Sequence, residues 1–168
     1  MMIGKLLAYA GLEEGKTVTW LPSYGPEMRG GTANCTVVVA DKAIGSPLIT
    51  SPKAAVVMNQ PSLEKFAPML RKDGILVINS TMIPVDSDRT DIRAFRIRAN
   101  DLAAELGSRR SANLVMLGAY IGLEEVVSHK TILKAIEKTF ASKKQFVDVN
   151  RKAFMKGYEL AKAGKSDE

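Results

Sequence analysis

The sequence predicts an α/β domain, with helices layered on both sides of a mostly parallel, mixed sheet. Two short apolar runs, Ala54–Met58 and Ile75–Ile78, read as strands buried on both faces. Between and after them come segments whose apolar residues recur at helical spacing, the alternation that builds a parallel sheet with helical layers. The chain has 168 residues, 46% hydrophobic and 25% charged, which suits one domain with a substantial core.

Met2, Ile3, Leu6, Leu7 and Ala10 make one face of a first helix, and Gly11 and Gly15 bracket its end. Thr17–Leu21 reads as a strand closed by Pro22. The prolines and glycines up to Gly31 exclude regular structure after it. Asn34–Ala40 is the next strand, and Asp41–Pro52 a turn with a short extended piece. A loop rather than a helix joins the strands at Thr17 and Asn34, so that part of the sheet is open to antiparallel pairing. Pro61 starts a helix with Leu63, Phe66, Ala67 and Leu70 inside, and Pro68 kinks or splits it. Ile92–Ile97 reads as a half-exposed strand. Asp101–Leu106 is a short helix closed by Gly107.

Asn113–Val127 is apolar almost all round and reads as a buried helix, in which Gly118 and Gly122 allow close backbone approach. Ser128 caps the next helix, with Ile132, Leu133, Ile136 and Phe140 inside. Asn150 reads as the cap of the last helix, and Gly164 lies past its end. One domain over 1–164 and a flexible tail over 165–168 are the expected organisation.

Composition excludes collagen-like and wholly disordered classes. The longest apolar runs span only a few residues, so no transmembrane helix is expected, and the first ten residues carry no signal-peptide pattern. One cysteine, Cys35, and one histidine, His129, allow neither an internal disulfide nor a metal cluster built from this chain alone. A reducing, cytoplasmic setting fits. The net charge of +6 is spread along the chain, with eight basic and six acidic residues in 1–84 and sixteen and twelve in 85–168. That balance suits an acidic partner or a phosphorylated ligand and falls short of a nucleic-acid footprint.

Tyr24-Gly25-Pro26-Glu27-Met28-Arg29-Gly30-Gly31 is the most informative stretch. Paired glycines let a backbone approach a ligand, successive amides can form an anion nest, and Arg29 adds a planar donor fork. The bland alternative is a tight surface loop with Arg29 paired to Glu27 or to a neighbouring subunit. Cys35 at a strand start reads as an inert thiol, and His129 at a helix start as a surface residue. Arg89, Arg93, Arg96, Arg98, Arg109 and Arg110 cluster in the middle of the chain; those in the strand alternate with apolar residues and make one solvated or interfacial face, with too few aromatics for RNA. Glu13-Glu14 and Glu124-Glu125 sit at helix ends, and nothing marks them as an acid/base pair.

The run Leu21–Cys35 resembles the gamma subunit, or gamma domain, of the 2-oxoacid:ferredoxin oxidoreductases. The likeness continues in Ile44–Pro47, Met58–Phe66, Gly74–Ser80 and Asn113–Ala119, and so covers nearly the whole chain. It leans toward the 2-oxoglutarate and branched-chain (2-ketoisovalerate) enzymes. The family usually opens with a strand and a Gly-x-Gly-Gly-Gln-Gly loop. This sequence starts at Met1, inside the corresponding helix, so a ligand site there is in doubt and a sheet position is expected to be unpaired.

The resemblance implies a subunit without turnover of its own, in an enzyme that oxidatively decarboxylates a 2-oxoacid to the acyl-CoA and reduces ferredoxin. It places thiamine diphosphate and Mg2+ mainly with alpha and beta subunits, and [4Fe-4S] clusters with a ferredoxin-like delta subunit. Coenzyme A is the co-substrate. Tyr24, Glu27, Arg29, Gly30, Gly31 and Asn34 are then the candidate ligand or subunit-interface residues. Arg29, Gly30 and Gly31 would face the interface or the coenzyme's phosphates, and Tyr24 and Asn34 would support them. Alternatives are the small subunit of the indolepyruvate enzyme, a stand-alone module for a phosphorylated ligand, and a basic RNA-binding module. Exposed apolar surface also makes a homodimer plausible.

Overall fold

Along the chain, residues 1–23 and 33–166 of the computed structural model are described. Its elements are α1 (Met2–Glu13), β1 (Thr17–Ser23), β2 (Asn34–Ala40), β3 (Ala54–Val57), α2 (Gln60–Phe66), β4 (Ile75–Asn79) and β5 (Arg93–Ile97). They are followed by α3 (Ala99–Glu105), α4 (Ala112–Leu123), α5 (His129–Thr139) and α6 (Val147–Lys162). Short 3-10 turns at Arg109–Ser111 and Ala141–Phe146 precede α4 and α6.

Every residue of β4 is buried, as its unbroken apolar run requires, because β4 is the middle of a parallel sheet ordered β3-β4-β5. Its alternate side chains feed two cores. Leu76 and Ile78 pack with Val57 and with Leu63 of α2 on one face. Ile75 and Val77 pack with Phe95, Ile97 and α4 on the other. This is the expected three-layer α/β/α arrangement. By contrast β3, expected to be buried on both faces, is half-buried except at Val57, because β4 flanks it on one side only.

The antiparallel part stands apart from that sheet. β1 and β2 form their own two-stranded ladder, from Thr17 opposite Ala40 to Ser23 opposite Asn34. Pro22 does not end β1. It sits opposite Cys35 within the ladder, in a two-stranded sheet where every strand is an edge and a missing N–H is tolerated. One face of this ladder lies on α1. A Cβ on Gly4 would meet Cys35 Sγ at 2.5 Å, and one on Gly11 would meet Val18 at 2.7 Å. Gly11 is therefore a packing residue. The stop is made at Gly15, with φ +72°, where Lys16 N–H donates to Gly11 O at 2.9 Å and Gly15 N–H to Leu12 O at 3.0 Å.

Helix α2 ends at Phe66, ahead of Pro68, so the proline terminates it rather than kinking it. Asn59 caps its start, accepting from Ser62 N–H at 3.1 Å. Helix α4 stops at Leu123, short of the apolar run that continues to Val127. Ten of its residues are buried, as all-round apolarity requires. It lies directly on α6. Gly118 faces Phe154, Gly122 faces Tyr158, and Ser111 faces Asn150, so the two helices run in the same direction. Ser128 caps α5 as expected, accepting from Lys130 N–H at 3.3 Å.

Asn150 does not cap α6. The helix begins at Val147, and Asn150 is buried in its first turn, where its Oδ1 accepts from Ser111 Oγ at 2.7 Å. A buried pair with one side chain at the foot of each helix outcompetes the local cap. Ser166, in the segment expected to be a flexible tail, accepts from Arg96 N–H at 2.9 Å through its hydroxyl. Residues 167 and 168 lie outside the described residues.

Candidate functional site

Five of the six candidate site residues, Tyr24, Glu27, Arg29, Gly30 and Gly31, lie outside the described residues. The sixth, Asn34, is half-buried at the start of β2, directly opposite Ser23, the last residue of β1. Ser23 and Asn34 therefore sit side by side at the open end of the β1–β2 ladder. That ladder is seated on the small-residue face of α1 by Gly4 and Gly11.

Cys35, next to Asn34, is half-buried, with Sγ against the first turn of α1. It has no histidine or carboxylate beside it in any described contact, and among the described residues no group of three or more His, Cys, Asp or Glu is placed to hold a metal. The donor set does not fit an iron–sulfur cluster, which takes about four thiolates where this chain has one.

The two acidic pairs are committed to structural contacts. Glu13 accepts from Lys138 Nζ at 2.8 Å, and Glu14 from Ser128 N–H at 2.7 Å. Glu124 pairs with Lys53, and Glu125 with His129 Nδ1 at 3.1 Å. Neither acidic pair is left to do acid/base work. His129 is less superficial than its position at a helix start suggests. Its ring stacks on Tyr158 at 4.7 Å between centroids, and its side chain is 26% exposed. The hydrogen bond from His129 holds the Glu125 carboxyl below the usual carboxylate value. Burial in α4 pushes the Tyr120 phenol up to about 12, so it stays protonated near neutrality.

The clustered arginines are divided by the tertiary structure. Arg89 Nη1 donates to the carbonyls of Ala67, Pro68 and Leu70, while its Nε and Nη2 grip Asp91. Arg96 donates to Ile83 O at 3.0 Å and Val85 O at 2.9 Å and pairs with Asp86. Together they pin the long β4–β5 connection against the sheet. Arg109 and Arg110 stay exposed on the turn before α4. The structural role of Arg89 and Arg96 was not legible in the sequence, since their carbonyl partners are set by chain trajectory rather than residue type.

Two open grooves accompany these features. One, of about 490 Å³, lies between α1 and α5 and is lined by Lys5, Tyr9, Leu12, Thr131 and Lys134 among others. The second, of about 570 Å³, lies between α2 and the β4–β5 connection. Neither borders Asn34.

Comparison with known proteins gives these observations a context. The family model described as pyruvate ferredoxin/flavodoxin oxidoreductase matches residues 1–160. The ketoisovalerate oxidoreductase subunit VorA of Methanothermobacter thermautotrophicus is 36% identical over 163 residues, covering 96% of this chain and 34% of the relative. The 2-oxoglutarate synthase subunit KorC of Methanocaldococcus jannaschii is 32% identical over 155 residues, covering 91% of this chain and 82% of the relative. The crystal structure of a keto/oxoacid ferredoxin oxidoreductase gamma subunit from Geobacter sulfurreducens superposes with a TM-score of 0.84 at 29% identity. That superposition covers 96% of this chain and 90% of that one. The chain thus spans about a third of the ketoisovalerate relative and most of the separate 2-oxoglutarate subunit.

Proposed function

Given that the chain belongs to the pyruvate ferredoxin/flavodoxin oxidoreductase family, we propose that it is the gamma-type subunit of a multi-subunit 2-oxoacid:ferredoxin oxidoreductase. The enzyme would oxidatively decarboxylate 2-oxoglutarate or a branched-chain 2-oxoacid to the acyl-CoA and reduce ferredoxin. The observation that carries this is the extent of the match, residues 1–160 in one unbroken span, with a gamma subunit as structural counterpart along the same length. The 2-oxoglutarate and ketoisovalerate relatives support that substrate class over indolepyruvate.

In this reading the chain is a required, non-catalytic subunit. Thiamine diphosphate and Mg2+ belong to alpha and beta subunits, and the clusters to a delta subunit, which agrees with a single cysteine here. Arg29, with Gly30 and Gly31, faces coenzyme A or the subunit interface at the open end of the β1–β2 ladder. Tyr24 and Asn34 support that stretch, and Glu27 is a further candidate ligand or interface residue in it. The domain spans 1–164 and works in the cytoplasm. Among the described residues no helix is long and apolar enough to cross a membrane.

The test is a tagged purification from the protein's own cells, with assay of dye reduction dependent on a 2-oxoacid and coenzyme A. Co-purifying thiamine diphosphate subunits, and activity with one 2-oxoacid that the isolated chain lacks, are the expected results. A protein recovered alone and inactive overturns the reading. An Arg29→Ala complex with unchanged coenzyme A affinity and unchanged assembly removes Arg29 from it.

A further inference from the structure

We propose that the groove between α1 and α5 is a docking surface for an acidic, amphipathic helical segment of a partner subunit. The inference rests on the multi-subunit reading above and adds to it where the contact is made and what chemistry the partner presents.

The groove is walled by two helices. From α1 come Lys5, Tyr9 and Leu12, one stripe at helical spacing. From α5 come Thr131 and Lys134. The Lys138–Glu13 ion pair, at 2.8 Å, ties the two walls together. The apolar part is open to solvent. Leu12 is 58% exposed and Tyr9 46%, though both sit on a helix whose other face is fully buried. Tyr9 and Leu12, three residues apart on α1, give the groove an apolar floor that a partner could cover. The charged part is net basic. Lys5 lies 5.5 Å over the Tyr9 ring, and neither Lys5 nor Lys134 forms an ion pair among the described residues. The carboxylate in the groove, Glu13, is already neutralised by Lys138 and feels Lys134 as well.

Those features select among occupants. A second copy of this chain in a two-fold contact would set Lys5 and Lys134 against their own counterparts, which repel. A small phosphorylated ligand would need converging donors. The first amides of α5 are already used, Lys130 N–H on Ser128 Oγ and Thr131 N–H on Ser128 O, so no helix N-terminus is offered. A partner helix answers both halves of the surface. Apolar residues at i, i+3 and i+4 would cover Tyr9 and Leu12, while carboxylates on its flanks would meet Lys5 and Lys134.

The experiment uses the assembled complex, tagged on this chain and purified from its own cells. A zero-length carbodiimide cross-linker, which joins lysine amines only to carboxylates already in contact, is applied and the linked peptides are sequenced by mass spectrometry. Lys5 or Lys134 linked to Asp or Glu of a partner subunit is the expected product. A Lys5→Glu/Lys134→Glu chain should then assemble about tenfold more weakly or worse, with its own melting temperature unchanged and the loss deepest at low salt. Leu12→Ser, which leaves charge alone, should weaken assembly by a smaller factor that salt does not alter. Wild-type assembly together with a charge-reversed variant that assembles equally well overturns the groove assignment and leaves the subunit reading standing. Links only between copies of this chain overturn it in favour of self-association. A wild-type chain that binds no partner subunit overturns both.

Discussion

Gly118 lies so close to Phe154 that a Cβ built on it would sit 1.9 Å from the Phe154 carbonyl oxygen. Gly157 returns the contact, with Val115 O also at 1.9 Å from its added Cβ. The α4–α6 pair, which forms one flank of the main core, is therefore a backbone-to-backbone contact that no larger residue permits. Gly118→Ala must push the helices apart, and overpacking of this kind costs about 1–3 kcal/mol, with the upper end expected where the obstacle is backbone. Urea unfolding of Gly118→Ala against Gly45→Ala, where nothing lies within 4 Å, measures it. Equal midpoints would refute the close packing.

The buried Ser111–Asn150 hydrogen bond predicts asymmetric single-mutant costs. Ser111→Ala leaves the Asn150 amide oxygen unpaired inside the protein, a loss of about 1–3 kcal/mol. Asn150→Ala leaves the Ser111 hydroxyl its second contact, Ser108 Oγ at 3.0 Å, and should cost less beyond the lost volume. A double-mutant cycle read by chemical denaturation should give a coupling energy of about 0.5 kcal/mol or more. Strict additivity would show that the pair does not form.

Arg89 gathers three carbonyls at the end of α2 and the Asp91 carboxylate in one guanidinium fork. An ammonium cannot span that set. Arg89→Lys should lower the chemical denaturation midpoint. Hydrogen exchange should speed first at the amides of residues 69–74 and in the β4–β5 connection. Protection there unchanged from wild type would contradict the staple.

Acid should destabilise the fold through three carboxylates. Glu13, Asp91 and Glu125 are held below their ordinary values of 4.5, 3.8 and 4.5 by hydrogen bonds from Lys138, Arg89 and His129. A depressed folded-state value means stabilisation fully present above those ordinary values and lost as pH falls through the folded ones. The denaturation midpoint should thus hold from neutrality to about pH 5 and decline below it. Because these pairs are exposed, the decline should be modest and shallower in high salt. Glu125→Gln should flatten it further. A midpoint that rises on acidification would reverse the sign of the argument.

Much of the architecture is written locally. The alternation of apolar runs and helical periods predicts the α/β class, and Ser128 and Gly164 mark real helix ends. At Gly164, with φ +66°, Lys165 N–H bonds Leu160 O at 3.0 Å and Gly164 N–H bonds Ala161 O at 3.1 Å, a stop fixed by residue type alone. The Gly-Arg stretch stands out in the sequence through its resemblance to the gamma-type family, since its residue types alone also fit a tight surface loop.

Other features depended on what met what. Periodicity predicts strands at Thr17 and Asn34, but only tertiary contacts decided that they pair with each other on α1 and leave the main sheet. Ala54–Val57 has a central strand's composition and an edge strand's place, because neighbours set burial. Asn150 has a cap's chemistry and a core residue's environment, because Ser111 reaches it from another helix. Arg96 reads as part of a charged strand face until the β4–β5 connection brings carbonyls to it. Composition, periodicity and capping act over a few residues and were determined by the sequence alone. Pairing partners, burial and the α1–α5 groove arise between segments tens of residues apart, where the favourable contact is chosen by packing of the whole chain.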